Sequence, residues 1–252
     1  MQKQQQRSKA LNFKVIIVGD QSVGKTHIIH QYVQGQVPAD SQATIGVDFQ
    51  VKTVIFPKRN ETIKLNIFDT AGEEKYHAVT ACHYRKAKGA VIVYDVSNRK
   101  SFENVEKWLK DVTQLADHDC SILIIGNKND VDLRKVETPS QSRPGSRQQK
   151  VDPNLPRRQV STLEGIEFAK QHQVSFFEVS AFMHESISKA FNTLAEQILN
   201  QFQLEQIQRD LSSVDTNRGR NGSITLKRGR FECCVSSGRD GYEQQSAGGC
   251  CS

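Results

Sequence analysis

The apolar run Val15-Ile-Ile-Val18 leads directly into Gly19-Asp-Gln-Ser-Val-Gly24-Lys25-Thr26, followed by the helix-like Thr26-His-Ile-Ile-His-Gln-Tyr32. This juncture constrains the fold more than any other feature of the 252-residue chain. A strand, a loop of the pattern G-x-x-x-x-G-K-[ST] and a helix form a cradle for phosphate. The glycines let backbone amides of Gly19, Gln21, Ser22, Val23, Gly24, Lys25 and Thr26 turn inward at a helix N-terminus, where the dipole also favours an anion. Lys25 is expected to reach the β and γ phosphates, and the Thr26 hydroxyl to bind Mg²⁺.

The rest of the chain supplies the sheet that such a juncture needs. Apolar runs recur at Ile63 to Phe68, Ala90 to Tyr94, Ile122 to Ile125 and Ser175 to Val179. Runs of this kind fit strands buried on both faces of a parallel sheet. Val51 to Phe56 alternates more and reads as an edge strand. Helical periods lie between them: Phe102, Val105, Leu109, Val112 and Leu115, with Ser101 as the expected N-cap, and Ile187, Ala190, Phe191, Leu194 and Ile198. Strands alternating with helices predict an α/β domain, with a mostly parallel six-stranded sheet covered by helices on both faces. Ligands of such sheets bind beyond the carboxyl ends of the strands.

Three further segments sit at such ends. Asp69-Thr-Ala-Gly72 follows the strand ending at Phe68, so Asp69 is placed either to hold the metal through water or to cap a helix. Asn127-Lys128-Asn-Asp130 follows Ile122 to Ile125, and Ser180-Ala181-Phe182 follows the strand ending at Val179. A carboxylate at Asp130 accepts from N1 and N2 of guanine, while an amide near Ala181 donates to O6. Adenine offers the opposite donors and acceptors and is rejected. Asn127 is expected to brace the loops. A kinase or ATPase also has a phosphate cradle, but no lid or second-substrate motif accompanies this one.

Charge argues about partners. Residues 1–14 carry four bases and no acid, 134–160 seven bases and two acids, and 201–252 seven and six. The foldable remainder holds sixteen bases against twenty acids, so the net +6 of the chain resides in tails and one loop. A basic groove for nucleic acid is not expected on the folded body. The basic segments are either merely solvated or face an anionic membrane surface. No run of apolar residues is long enough to span a bilayer, and the polar start is not a secretory signal, so the chain is expected in the cytosol. Its six cysteines, two isolated and four near the end, do not form a disulfide framework. The stretch 136–156, rich in Ser, Pro, Gln and Arg, reads as an inserted mobile loop. Residues 1–11 read as a polar extension, 12–200 as the folded domain and 201–252 as a flexible tail.

The order and spacing of these motifs resemble the Ras-like small GTPases, and within them the Rab family, over residues 12–199. The resemblance rests further on Thr44-Ile-Gly-Val-Asp-Phe49, on Phe68-Asp-Thr-Ala-Gly-Glu-Glu-Lys-Tyr76 and on Val91-Ile-Val-Tyr-Asp-Val96. It implies the P-loop NTPase fold, GTP and GDP as ligands with Mg²⁺, Thr44 as a metal ligand only beside a γ phosphate, and Gly72 donating its amide to that phosphate. Gly249-Cys250-Cys251-Ser252 is similar to the double-geranylgeranyl signal of Rab tails and is not C-a-a-X. Two lipids anchor firmly where one holds only marginally. Cys233 and Cys234 are plain thiols or palmitoylation sites. The implied partners are an exchange factor, a GTPase-activating protein, effectors, and prenylation escort and dissociation-inhibitor proteins. The implied life cycle runs between cytosol and the cytoplasmic face of endomembranes, in vesicle traffic.

Four departures stand out. Glu73 replaces the family's Gln, which orients the attacking water. A carboxylate has no N–H to offer a phosphate oxygen and adds negative charge beside the transition state, so slow hydrolysis is expected. The competing reading is that a Glu73 of raised pKa serves as base or protonated donor. Val37 stands where relatives place an aromatic across the guanine, a loss of about 1 kcal/mol, or some tenfold in affinity, unless Phe182 supplies a ring. Phe182 itself stands where Lys is usual, and Phe68 replaces Trp. Two functions follow: a slow GTP hydrolase used as a membrane-tethered switch, or a platform in which cycling has ended.

Overall fold

The computed structural model describes residues 10–38, 47–70, 82–132 and 156–217. Six strands form one sheet: β1 (Leu11–Val18), β2 (Val47–Phe56), β3 (Glu61–Thr70), β4 (Gly89–Asp95), β5 (Ser121–Asn127) and β6 (Ser175–Glu178). Their order is β2-β3-β1-β4-β5-β6, with only β2 antiparallel to its neighbour. The helices are α1 (Lys25–Gln34), α2 (Arg99–Glu103), α3 (Val105–Leu115), α4 (Thr162–Gln171) and α5 (His184–Asn217). The mostly parallel six-stranded α/β sheet expected from the sequence is the one observed.

The apolar runs of β1, β4 and β5 become central strands because both faces are covered, whereas β6, expected to be buried on both faces, is an edge strand with all four residues half-buried. Along β1, Val15 and Ile17 join a core with Ile28, Tyr32 and Phe191 from α1 and α5. Ile16 and Val18 join a second core with Phe102, Trp108, Leu109 and Val112 from α2 and α3. Alternate side chains therefore reach opposite faces, and every residue of β4 is buried. The strand order reverses at β1, between β3 and β4, which opens a crevice at the carboxyl end of β1 where the phosphate loop begins.

Two local expectations are corrected. The helical period from Phe102 to Leu115 is served by two helices joined at Asn104, and the cap is Asn98, not Ser101. Asn98 accepts from the amides of Lys100 (3.1 Å) and Ser101 (3.4 Å). Ser101 lies inside the first turn, buried, where its hydroxyl donates to Asn98 O and accepts from Asp95 N. An Asn three residues upstream offers a better-placed carbonyl than a serine already within the turn. Leu115, at the frayed end of that period, is exposed.

The second correction concerns the domain end. Helix α5 continues past 201, where the sequence places the start of a tail, and reaches Asn217. Phe202 explains the extension, because its ring packs edge-on against Phe13 at 5.3 Å. Gln203 adds a hydrogen bond to Glu61 at 2.9 Å, and Glu205 an ion pair to Lys88. The described residues up to Arg209 belong to one compact unit, and the helical turns from Asp210 to Asn217 belong to a second. Residues 1–9, 133–155 and 218–252, which hold most of the expected extension, loop and tail, lie outside the described residues. Among the described residues no helix is long and apolar enough to cross a membrane.

Candidate functional site

The loop after β1 turns on backbone conformations that few residues adopt. Gly19 has φ 142° and Gly24 has φ 95°. A Cβ on Gly19 would lie 2.2 Å from Val93 O, and one on Gly24 would lie 2.4 Å from Asn127 Nδ2. Both positions therefore demand glycine for close approach as well as for conformation. Ser22, at φ 62°, takes the left-handed region as a non-glycine residue, a strain that clusters at functional loops.

Lys25 opens α1, and its ammonium donates to the carbonyls of Gly19 (2.9 Å) and Asp20 (2.8 Å), folding the side chain back over the loop. Burial lowers its pKa to about 8, against the opposing pull of the Asp69 and Asp20 carboxylates. A buried ammonium held against the carbonyls of this loop is placed to meet a polyphosphate. Beside it, Thr26 Oγ1 donates to Asp69 Oδ2 at 2.6 Å. Asp69 is a residue of β3, paired in register with Ile17 of β1, so it caps no helix. Its other oxygen, Oδ1, is buried with no hydrogen-bond partner among the described residues. Desolvation pushes the Asp69 pKa up, while the Thr26 hydrogen bond and Lys25 hold it down. Hard oxygen donors with one carboxylate oxygen left over fit Mg²⁺ chemistry. Thr26 and Asp69 would hold the ion, Asp69 through water.

The two expected base-reading loops converge on the same crevice. Asn127, at the end of β5, donates from Nδ2 to Val23 O in the phosphate loop at 2.8 Å. Lys128, at φ 65°, lies across the same loop, donating to Ser22 O at 2.9 Å and pairing with Asp95 at 2.7 Å. Asp130 sits in a short 3₁₀ turn, Asn129–Asp132, and accepts from the Ser180 hydroxyl at 2.9 Å. Ser180 is fully buried and Ala181 nearly so, and the Phe182 amide donates to Ser180 Oγ at 3.3 Å. Phe182 leaves its ring 66% exposed, with Met183 exposed beside it. Val37 lies just past α1, half-buried.

Thus Gly19, Gln21, Ser22, Val23, Gly24, Lys25 and Thr26 after β1, Asp69 at the end of β3, Asn127, Lys128 and Asp130 at the end of β5, and Ser180, Ala181 and Phe182 after β6 form four neighbouring regions linked by hydrogen bonds at one end of the sheet. Thr44, Gly72, Glu73, Cys250 and Cys251 lie outside the described residues.

Sequence reasoning passed over several participants. Asp95 anchors Lys128 and is itself held by the Ser97 amide and hydroxyl. Arg158 forks between Asp132 (2.7 Å) and Glu178 (2.9 Å), joining the turn after β5 to the end of β6. Asp20 accepts from Asn104 and from Trp108. Only the last left a trace in the sequence: Asn104 and Trp108 are four apart, so they share one helix face.

A model of the Ras family matches residues 14–200 of the chain. The chain is 35% identical over 212 residues to Ras-related protein Rab-10 of Diplobatis ommata, covering 84% of this chain and 94% of that protein. It is 34% identical over 216 residues to Ras-related protein RABA4a of Arabidopsis thaliana, covering 86% and 83%. With Ras-related protein Rab-11B of Dictyostelium discoideum the identity is 38% over 181 residues, 72% of this chain and 71% of that one.

Proposed function

Because this chain belongs to the Ras family, as a divergent Rab-related small GTPase, we propose that it binds GDP and GTP with Mg²⁺, hydrolyses GTP slowly, and serves as a membrane-tethered switch in vesicle traffic. The observation that carries this reading is the strapping of the phosphate loop to the base-reading loop, Asn127 Nδ2 to Val23 O, with Asp130 held by Ser180. One fixed hydrogen bond sets the distance between phosphates and base, and a fixed carboxylate selects guanine.

In this reading the backbone amides of Gly19 to Thr26 bind the phosphates, and Lys25 exchanges its carbonyl partners for phosphate oxygens. Mg²⁺, when bound, neutralises charge on the β and γ phosphates. Thr44 and Gly72 sense the γ phosphate by family resemblance. Glu73 meets the attacking water with a carboxylate where a donor amide is usual, which slows the step. Effectors, an exchange factor, a GTPase-activating protein and prenylation escort and dissociation-inhibitor proteins are its partners. Phe49, Val51 and Ile55 stand exposed along β2, an apolar row at the sheet edge suited to an effector. Cys250 and Cys251 carry geranylgeranyl groups, and the protein cycles between cytosol and endomembranes.

The second reading, a nucleotide-bound platform that no longer cycles, is favoured by Glu73 and Val37 alone. Chromatography of nucleotide released from purified protein, followed by single-turnover phosphate release, separates the two. The switch predicts stoichiometric guanine nucleotide and slow, measurable phosphate release; GTP that persists unhydrolysed identifies the platform. Protein carrying no guanine nucleotide and unable to take it up contradicts both.

A further inference from the structure

The phosphate loop of this chain contains a carboxylate, Asp20, between Gly19 and Gln21. Its two oxygens have separate neutral donors: Asn104 Nδ2 to Oδ2 at 2.7 Å, and Trp108 Nε1 to Oδ1 at 2.8 Å. Both donors project from the α2–α3 junction, on the face of the sheet opposite α1. Asn104 lies at the junction with helical backbone (φ −73°, ψ −12°), makes no side-chain capping bond, and turns its Nδ2 onto Asp20. Trp108, the single tryptophan of the chain, is only 5% exposed and packed in the second core. A junction amide and a buried indole N–H are thus both directed at one loop carboxylate.

A negative charge within a phosphate cradle opposes its ligand, and the opposition grows as water is excluded. We propose that Asn104 and Trp108 are positioning residues for nucleotide binding: they hold the Asp20 carboxylate turned toward α3, away from the phosphates, and thereby set how long the nucleotide stays bound. This rests on the guanine-nucleotide reading above. A simple tether differs in sign. If the contact only anchored the loop, removing Asp20 would loosen the nucleotide. If it restrains a repelling charge, removing Asp20 tightens binding and makes the loss of either donor inconsequential.

Release of a fluorescent N-methylanthraniloyl-GDP, chased with excess GDP, reads the difference in the full chain. Trp108→Phe is expected to release it about tenfold faster than the parent, and Asn104→Ala, whose change lies outside the core, a few-fold faster. Asp20→Ala is expected to release it about threefold more slowly. Combined with Asp20→Ala, either donor variant is expected to match Asp20→Ala alone. Faster release from Asp20→Ala, or an undiminished effect of Trp108→Phe and Asn104→Ala in that background, overturns the proposal. Parent protein that takes up no labelled GDP contradicts the nucleotide reading itself, a separate outcome seen before any variant is compared.

Discussion

At the scale of single residues, the site is governed by close approach and by one buried ammonium. Gly24 admits no side chain: its φ is 95°, and a Cβ would meet Asn127 Nδ2 at 2.4 Å. Gly24→Ala must break either the loop conformation or the Asn127–Val23 bond, at a cost of about 2–3 kcal/mol. Competition titration should show GDP affinity reduced by roughly two orders of magnitude. Lys25 predicts a pH dependence. Its folded value of about 8 lies below the usual 10.5 because burial disfavours the charge. Between these values the nucleotide-free folded protein binds fewer protons than the unfolded chain, so its stability should rise with pH across that window. GDP acts oppositely, since its phosphates favour the ammonium and binding takes up a proton. GDP affinity should therefore fall as pH rises above 8, with calorimetric heats that depend on the ionisation enthalpy of the buffer. The glycines and Lys25 were legible in the sequence because their spacing is a local pattern. That Asn104 and Trp108 share a helix face was legible too, but not that they meet Asp20, 84 and 88 residues away, nor that Lys128 meets Asp95, 33 away.

At the scale of elements, apolar runs located β1, β4 and β5, whose burial on both faces leaves a continuous apolar signature, while alternation located the edge strand β2. Helix ends were harder to read. Ser101 satisfied the residue preference for a cap, but the competition between Asn98 and Ser101 is settled by geometry that composition does not encode. Asn98→Ala should lower stability by about 1 kcal/mol, read as a shift in the denaturant midpoint with an unchanged slope. The same change at Ser101 removes a hydroxyl that also holds Asp95 N at 3.0 Å, so Ser101→Ala should perturb the turn that carries Asp95, the partner of Lys128. The extension of α5 escaped notice for a related reason. Between 201 and 211 apolar residues are sparse, and what fixes the helix there is Phe202 on Phe13, 189 positions away.

Across the whole sheet, strand order brings segments from distant parts of the chain to one end: β1 supplies the proposed phosphate cradle, β3 the Asp69 carboxylate, and β5 and β6 the loops proposed to read the base. Motif order in the sequence implied that convergence, because parallel strands with right-handed crossovers leave their carboxyl ends on one edge. The proposed slow turnover rests on Glu73. Glu73→Gln should raise single-turnover GTP hydrolysis, at least tenfold if water positioning limits the reaction; a variant no faster than the parent would show that the carboxylate is not what slows it. The central claim is more basic, that this arrangement holds a guanine nucleotide. Isothermal calorimetry on protein stripped of nucleotide by a chelator tests it most directly. GDP with Mg²⁺ should bind at one saturable site, with ADP producing no comparable heat and Asp130→Ala abolishing the preference. Equal binding of ADP and GDP, or no heat from either while the protein remains folded, would contradict it.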